Sequence, residues 1–278
     1  MSHSNKFFRS AWNTLVNPTV RLSADFPFAP GRSLKLYALS LVFFVVGSAL
    51  PVSLFLLALR FMPTGDSFVT RLLMAPGAEG IVLTVMSLAT FACGFGLQLF
   101  CVSRAFNKEG LKLLDVISFN LKSLQGSWVK AVGLGVLTFA VGLGAEQLMG
   151  LVYTVPSSDP TADFIKTLGG TALYLMAALA MIGPVMEEVI FRGFLFNVIN
   201  GSVSKKMGPG AVTTMVAVVG SAFVFGVMHM NLPALPFYMV LGAVYAEAYR
   251  RSGSLVVPVI AHVLNNSMIV IALILRQA

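Results

Sequence analysis

Two adjacent carboxylates, Glu187 and Glu188, lie inside a largely apolar stretch that runs over residues 172–199. An ionised carboxylate at the centre of a bilayer costs about 2.5–3.5 kcal/mol, so two adjacent carboxylates require a structural or functional explanation. If the stretch is helical, Glu188 and Arg192 are four residues apart and share a face, where they can form an ion pair. Glu187 is five residues from Arg192 and is rotated away from it. We therefore predict that Glu188 pairs with Arg192 structurally and that Glu187 is left for chemistry.

Two of the three histidines, His229 and His262, lie in later apolar stretches of the chain. Phe225 precedes His229 by four residues and Asn266 follows His262 by four, so each pair shares a helix face. A single histidine within a membrane usually makes a helix–helix hydrogen bond, worth less than about 1 kcal/mol on average. Depths along the helices, however, put Glu187, both histidines and Asn266 within reach of one another. We predict that these four side chains meet in one buried polar cavity.

The composition is that of a membrane protein. Of 278 residues, 57% are hydrophobic and 11% are charged, whereas a soluble domain has about 25% charged residues. The formal charge of +8 comes from Lys and Arg in the loops between apolar stretches. That distribution is typical of cytoplasmic loops that face anionic lipid, and it argues against nucleic acid as a partner. The sequence predicts an all-α, polytopic, multi-pass integral membrane protein.

Hydropathy divides the chain into about seven transmembrane helices and two interfacial ones. The predicted spans are 36–59, 80–103, 129–153, 168–200, 210–230, 235–249 and 255–275, and the interfacial helices lie within 1–35 and 104–128. The loop charges place the N-terminus in the cytoplasm. Gly183-Pro184 is expected to interrupt and kink the fourth span, and Glu146 is expected at the rim of the third. We predict three parts: an interfacial segment (1–35), N-terminal transmembrane helices (36–165) and a catalytic transmembrane core (166–278).

Three motifs carry a resemblance to a known family, and each lies on its own predicted span. They are Glu187-Glu188-x-x-x-Arg192, Phe225-x-x-x-His229 and His262-x-x-x-Asn266. In order and spacing they resemble the motifs of the CPBP family, which includes the type II CAAX prenyl endopeptidases and the Abi-type, bacteriocin-processing membrane proteases. The resemblance covers about residues 170–277. It implies an intramembrane protease whose catalytic transmembrane helices lie in that part of the chain.

The resemblance also implies roles for the motif residues. Glu187 and His229 would activate a water molecule, and His262 and Asn266 would hold the oxyanion. Glu188, Arg192 and Phe225 would support that site. The substrate would be a peptide or a membrane protein associated with the bilayer, and no cofactor or metal is expected. Whether that substrate is prenylated, and whether the protein forms oligomers, stays open.

Two alternatives compete with the glutamate-type peptidase. Glu187, His229 and His262 could instead ligate zinc, as two histidines and a carboxylate do in some metallopeptidases. The sequence contains no His-Glu-x-x-His motif, so such a site would depend on convergence in the tertiary structure. The other alternative is a non-catalytic scaffold or immunity protein with the same fold.

Overall fold

The computed structural model describes residues 30–61, 78–110, 119, 121–154 and 171–277. Its regular elements are all helical in these ranges, which confirms the predicted all-α class. The α-helices are α1 (Pro30–Arg60), α2 (Ala78–Lys108), α3 (Trp128–Val152), α4 (Thr171–Glu188), α5 (Asn197–Met207), α6 (Ala211–Met228), α7 (Leu235–Ser252) and α8 (Val256–Gln277). A π-helical segment, Val189–Phe196, joins α4 directly to α5.

The helix that carries the two glutamates differs from its predicted form. α4 passes through Gly183 and Pro184 without a break, so the interruption expected there is wrong. A missing proline N–H removes one hydrogen bond, and the helical pattern is retained on both sides of it. The register changes instead after Glu188, where the π-helical segment begins and every residue is buried. π-Helical turns of this kind are frequent at functional sites.

Four helical stretches in the described ranges are long and apolar enough to cross a membrane. They are Leu34–Arg60, Thr84–Lys108, Trp128–Val152 and Ala211–Met228. They agree with the first, second, third and fifth predicted spans. The segment Val256–Ala272 is apolar but shorter. The chain is thus a membrane protein, while the count of seven spans stays a prediction.

The predicted interfacial helix over 104–128 is wrong at both of its described ends. Residues 104–108 continue α2, and Lys122–Leu124 form a single 3-10 turn. Gln125 and Gly126 follow that turn with positive φ angles of 57° and 71°, a conformation that ends a helix before α3 begins. Residues 111–118, and positions 1–29 of the N-terminal interfacial segment, lie outside the described residues. Residues 30–35 are already part of α1.

α1 and α2 pack closely against each other because small residues face the contact. A side chain at Gly47 would overlap the backbone carbonyl of Cys93, and one at Gly94 would overlap the Ser48 hydroxyl. Aromatic side chains then fill the space between this helix pair and the π-helical segment. They include Tyr37, Phe95, Phe106, Phe191 and Phe194, all buried in one hydrophobic cluster.

The C-terminal helices complete the bundle. α6 packs on α7, and α8 packs between α3 and α4. Asn231 caps the short 3-10 turn Leu232–Ala234 that joins α6 to α7, through its side-chain oxygen. Gly253, with φ of 63°, ends α7 in the left-handed conformation that glycine adopts without strain. This arrangement brings α4, the π-helical segment, α6, α7 and α8 around one interior space.

Candidate active site

Glu188 is the polar centre of this interior. Its side chain has no exposed surface, and its Oε1 atom accepts hydrogen bonds from Arg192 Nη1 and from His262 Nδ1, both at 2.9 Å. The sequence predicted the pair with Arg192 from the four-residue spacing. It did not predict the bond to His262, which lies 74 residues away. One carboxylate therefore both neutralises a buried guanidinium and orients a buried imidazole.

Arg192 ties the glutamate to α7. Its Nη2 donates to the backbone carbonyl of Gly242 at 3.0 Å, and its guanidinium lies 4.5 Å from the centroid of the Phe225 ring and 5.4 Å from that of Tyr245. Cation–π contacts of this kind are worth about 2 kcal/mol when they are removed from water. Gly242 itself packs on α6, with Ala222 at 3.0 Å from the position that a side chain would take. The arginine thus joins three helices through one planar group.

The Glu188 contact fixes the orientation of His262. Because an ionised carboxylate can only accept, His262 Nδ1 must carry the proton of this bond. The opposite ring atom, Nε2, then faces Glu187, and it lies 3.9 Å from Glu187 Oε2. Tyr245 stacks on the imidazole at 4.9 Å between ring centroids, with an interplanar angle of 26°. His262 is therefore held by one hydrogen bond and one stacked ring, and it presents Nε2 to the cavity.

His229 is oriented in a comparable way by its own helix. Its Nδ1 lies 2.8 Å from the carbonyl oxygen of Phe225, and since that oxygen can only accept, Nδ1 is the donor. In the neutral ring Nε2 is then left as an acceptor. The imidazole stacks on Tyr238 at 4.1 Å and contacts the edge of the Phe225 ring at 4.6 Å. Phe225 also lies 5.8 Å from the His262 ring, so one aromatic side chain contacts both histidines.

The predicted residues line a common cavity of about 330 Å³. Glu187, Phe225, His229, His262 and Asn266 all contribute to its wall. Glu188 and Arg192 lie behind that wall and are fully buried. The structure therefore brings together the residues that the sequence singled out. Among the described residues, none donates a hydrogen bond to the buried Glu187 Oε2.

A second cavity, of about 220 Å³, shares part of its wall with the first. Glu187 and His229 line both cavities, and so does Phe91 of α2. The walls of the second cavity are mainly aromatic, with Phe44, Phe95 and Phe191 among them. Glu187 and His229 are therefore within reach of two cavities.

Sequence reasoning missed several residues of this site. Tyr245 and Tyr238 stack on the two histidines, Gly242 accepts from Arg192, and Asn265 lines the cavity next to Asn266. The three-residue spacing of Gly242 and Tyr245 on one helix face was an available signal, but it recurs throughout an apolar chain. Glu146, expected at the rim of α3, lines this cavity too and is half-buried.

Metal binding has limited support in the side-chain arrangement. Within the described ranges, no three His, Cys, Asp or Glu side chains are placed to share one ion. His229 and His262 each use Nδ1 for an orienting hydrogen bond, which would leave only Nε2 of each ring for another partner.

Comparison with known proteins supports the family resemblance. Residues 169–268 match the family described as type II CAAX prenyl endopeptidase Rce1-like, and this match confirms the resemblance predicted from the three motifs. The chain is 26% identical over 159 residues to the "Putative membrane peptidase YdiL" of Bacillus subtilis (strain 168), a stretch that covers 54% of this chain and 61% of that protein. It is 33% identical over 97 residues to the "Membrane-embedded CAAX protease MroQ" of Staphylococcus aureus (strain USA300), covering 34% and 36% respectively.

These similarities span about a third to three fifths of the relatives' lengths. The matched family region, 169–268, contains all three motifs and therefore every residue predicted for the site. No solved structure matches this chain.

Proposed function

We propose that this protein is a glutamate-type endopeptidase embedded in the membrane, where it hydrolyses a peptide bond of a membrane-associated substrate. One observation carries the proposal. A fully buried carboxylate, Glu188, orients His262 so that its Nε2 faces Glu187 across a cavity that His229 and Asn266 also line. A buried ion pair that only stabilised the fold would not need to orient a cavity-lining imidazole.

Water activation falls to Glu187 and His229. Both present acceptor atoms to the cavity: the Glu187 carboxylate, and Nε2 of His229, whose Nδ1 is held by the Phe225 carbonyl. A water molecule that donates one hydrogen to each would have a lone pair aimed at a substrate carbonyl. As its oxygen bonds to the carbonyl carbon, its proton passes to Glu187. Glu187 therefore acts as the base, and His229 positions the water.

Oxyanion stabilisation falls to His262 and Asn266. The Asn266 amide can donate directly, whereas His262 Nε2 can donate only when the ring is doubly protonated, because Nδ1 already carries a proton toward Glu188. The Glu188 carboxylate stabilises that imidazolium. Each well-placed donor can contribute about 3 kcal/mol to the transition state. When the C–N bond breaks, Glu187 gives the proton that it took from water to the leaving amine.

The sequence assigned Glu188 only a structural role, as the ion-pair partner of Arg192. In this mechanism it also supports catalysis. It fixes the protonated nitrogen and the orientation of His262, in the same manner as an acid that supports a catalytic histidine in other hydrolases. Arg192 holds Glu188 in place through the bond at 2.9 Å. Support of this kind holds reacting groups within the narrow tolerance that catalysis requires.

A cleavage assay tests the proposal. The full chain is purified in detergent or reconstituted in liposomes and given a library of membrane-anchored peptides, half of them carrying a prenylated cysteine within a C-terminal Cys-a-a-X sequence. We expect cleavage by the wild type and its loss in Glu187→Gln. Glu109→Gln, which removes a carboxylate paired with Arg32 at the end of α2, is the matched control and should cleave normally.

The same assay separates the alternatives. Equal product from the wild type and Glu187→Gln would exclude the glutamate-type mechanism, and no product from any substrate class would favour the scaffold. Activity that is lost with a chelator and restored by zinc would establish the metallopeptidase. Comparing cleavage of the prenylated and unprenylated peptides tests whether this chain has the CAAX specificity that the name of MroQ states.

A further inference from the structure

A large groove lies on the side of α7 that faces away from the catalytic cavity. It encloses about 870 Å³ between α3, α6 and α7. Its apolar lining residues include Leu137, Val141, Met215, Val218, Ala243 and Val244, and Thr138 and Thr214 also line it. In the part of the chain that the structure describes, this groove and the catalytic cavity share no lining residue. A space of this size is comparable to the sites that hold small organic ligands, which measure about 300–1,000 Å³.

One end of the groove is charged. Glu247, Arg250 and Arg251, at the carboxyl end of α7, contribute to its lining. Arg250 donates to both Glu247 oxygens at 2.7 Å through Nε and Nη2, and Arg251 donates to Glu247 through Nε. Two guanidinium groups share one carboxylate, so the cluster has a net charge of +1. These bonds do not use Nη1 of Arg250 or either Nη group of Arg251.

The cluster is partly shielded from water. The side chains of Arg250, Arg251 and Glu247 are 18%, 30% and 33% exposed. A net charge in such a position is screened less than a fully exposed one. A short turn joins α6 to α7, and the two helices run antiparallel. The first residue of α6, Ala211, therefore lies at the same end of the groove as the last residues of α7. The groove therefore has a long apolar body and a single basic mouth.

We propose that this groove binds an anionic phospholipid, with its acyl chains along α3, α6 and α7 and its phosphate at Arg250 and Arg251. The apolar body matches hydrocarbon and offers little to a polar solute. The unused guanidinium N–H groups suit phosphate oxygens, which arginine binds in bidentate fashion. Basic pockets between membrane helices bind anionic headgroups in this way. Charge complementarity thus selects a phosphatidylglycerol-type headgroup over a zwitterionic one.

This site is independent of the proposed peptidase activity. On α7, Ala243 and Val244 line the groove. Their neighbours Gly242 and Tyr245 instead contact Arg192 and His262. The lipid and the active site therefore use opposite faces of one helix. Binding to the folded state alone raises its stability by mass action, so lipid retention and thermal unfolding both report occupancy without a substrate.

The experiment measures which lipids stay bound to the full-length protein. Protein from nanodiscs of mixed phosphatidylglycerol and phosphatidylcholine is transferred to detergent, and retained lipids are counted by native mass spectrometry. Each unit of charge near a headgroup changes binding about five-fold. Arg251→Gln, which lowers the net charge to zero, should therefore reduce the retained phosphatidylglycerol-to-phosphatidylcholine ratio about five-fold. Glu247→Gln, which raises it to +2, should increase the ratio by the same factor.

Two further variants complete the design. Ala243→Phe fills the body of the groove and should lower retention of both lipids. Arg104→Gln removes an exposed positive charge at the end of α2 and should leave the ratio unchanged. The proposal is overturned if the ratio is the same in Arg251→Gln, Glu247→Gln and wild type, or if Arg104→Gln lowers it as much as Arg251→Gln does. Glu247→Gln keeps both arginines, so a folding failure of Arg251→Gln does not remove the test.

Discussion

The two adjacent glutamates offer a matched pair of isosteric substitutions that should differ in their effect on stability. Glu187→Gln and Glu188→Gln change one oxygen each at neighbouring positions of the same helix. The Glu188 side chain is fully buried, whereas 21% of the Glu187 side chain is exposed. Glu188 has two charged or polar partners at 2.9 Å, whereas Glu187 Oε2 lies 3.9 Å from Nε2 of His262. Stability should therefore depend on Glu188 much more than on Glu187.

The size of the Glu188→Gln effect follows from its contacts. The amide leaves the Arg192 guanidinium, which is 1% exposed, without a carboxylate partner. Breaking one partner of a buried ion pair costs about 3–5 kcal/mol. Since the amide no longer enforces the proton on His262 Nδ1, turnover should also fall, by up to about 10⁴-fold in kcat. Glu188→Gln should thus lose both stability and activity.

Glu187→Gln should separate these two properties. It removes the acceptor that takes the proton from water, and general-base catalysis contributes about 10²–10⁴-fold. The amide retains the shape of the carboxylate and gives up no short ion pair. We expect activity to fall at least 10²-fold while the free energy of unfolding stays within about 0.5 kcal/mol of the wild type, as for substitutions outside packed networks.

Both quantities are measurable on the same preparation. Thermal unfolding in detergent reports stability, and cleavage of one defined peptide from the library reports kcat. The reasoning is refuted if Glu188→Gln unfolds at the wild-type temperature, because the buried pair would then contribute nothing. It is refuted equally if Glu187→Gln retains most of its activity.

Three other predictions concern the oxyanion donors, metal dependence and helix packing. Asn266→Ala should lower kcat about 10²-fold with a smaller change in KM, because the lost donor acts mainly on the transition state; an effect confined to KM would contradict this role. Elemental analysis of active protein should find no stoichiometric zinc, since an asparagine is a poor zinc ligand; zinc that co-purifies with activity would contradict it. Gly47→Ala should destabilise the protein by about 1–3 kcal/mol because its methyl group overlaps the Cys93 carbonyl, whereas Gly96→Ala, with open space around it, should be neutral or stabilising in the same unfolding assay.

Local spacing along single helices was enough to predict part of the site. The Glu188–Arg192 pair follows from a four-residue separation, and it occurs at 2.9 Å. The same rule placed Phe225 next to His229, and the Phe225 carbonyl holds the His229 ring. Apolar composition predicted the helical membrane fold because a membrane-spanning backbone must satisfy its hydrogen bonds within the segment. These features depend on neighbours within one turn, so the sequence contains all the information they need.

Element boundaries were less accessible from sequence. Pro184 suggested a break in the fourth span, yet α4 continues through it and the register changes after Glu188. Packing is compatible with an unbroken helix here: a side chain added at Gly183 would lie only at an ordinary contact distance from Phe91 of α2, and all residues of the π-helical segment are buried. The local preference of a single proline therefore does not end this helix. Hydropathy likewise predicted an interfacial helix whose described ends belong to α2 and to a 3-10 turn.

The contacts between distant parts of the chain came only from the tertiary structure. Nothing in the spacing of Glu188 and His262, 74 residues apart, indicates that they share a hydrogen bond, and the choice of Gly242 as the acceptor for Arg192 depends on how closely α7 approaches α6. The stacking of Tyr245 and Tyr238 on the two histidines has the same origin. Helical periodicity determines which face of a helix a side chain occupies. Its partner on another helix depends on where and at what angle the two helices cross, and the local sequence does not specify this. Sequence thus supplied the residues of the candidate site, and helix packing decided which of them orient the others.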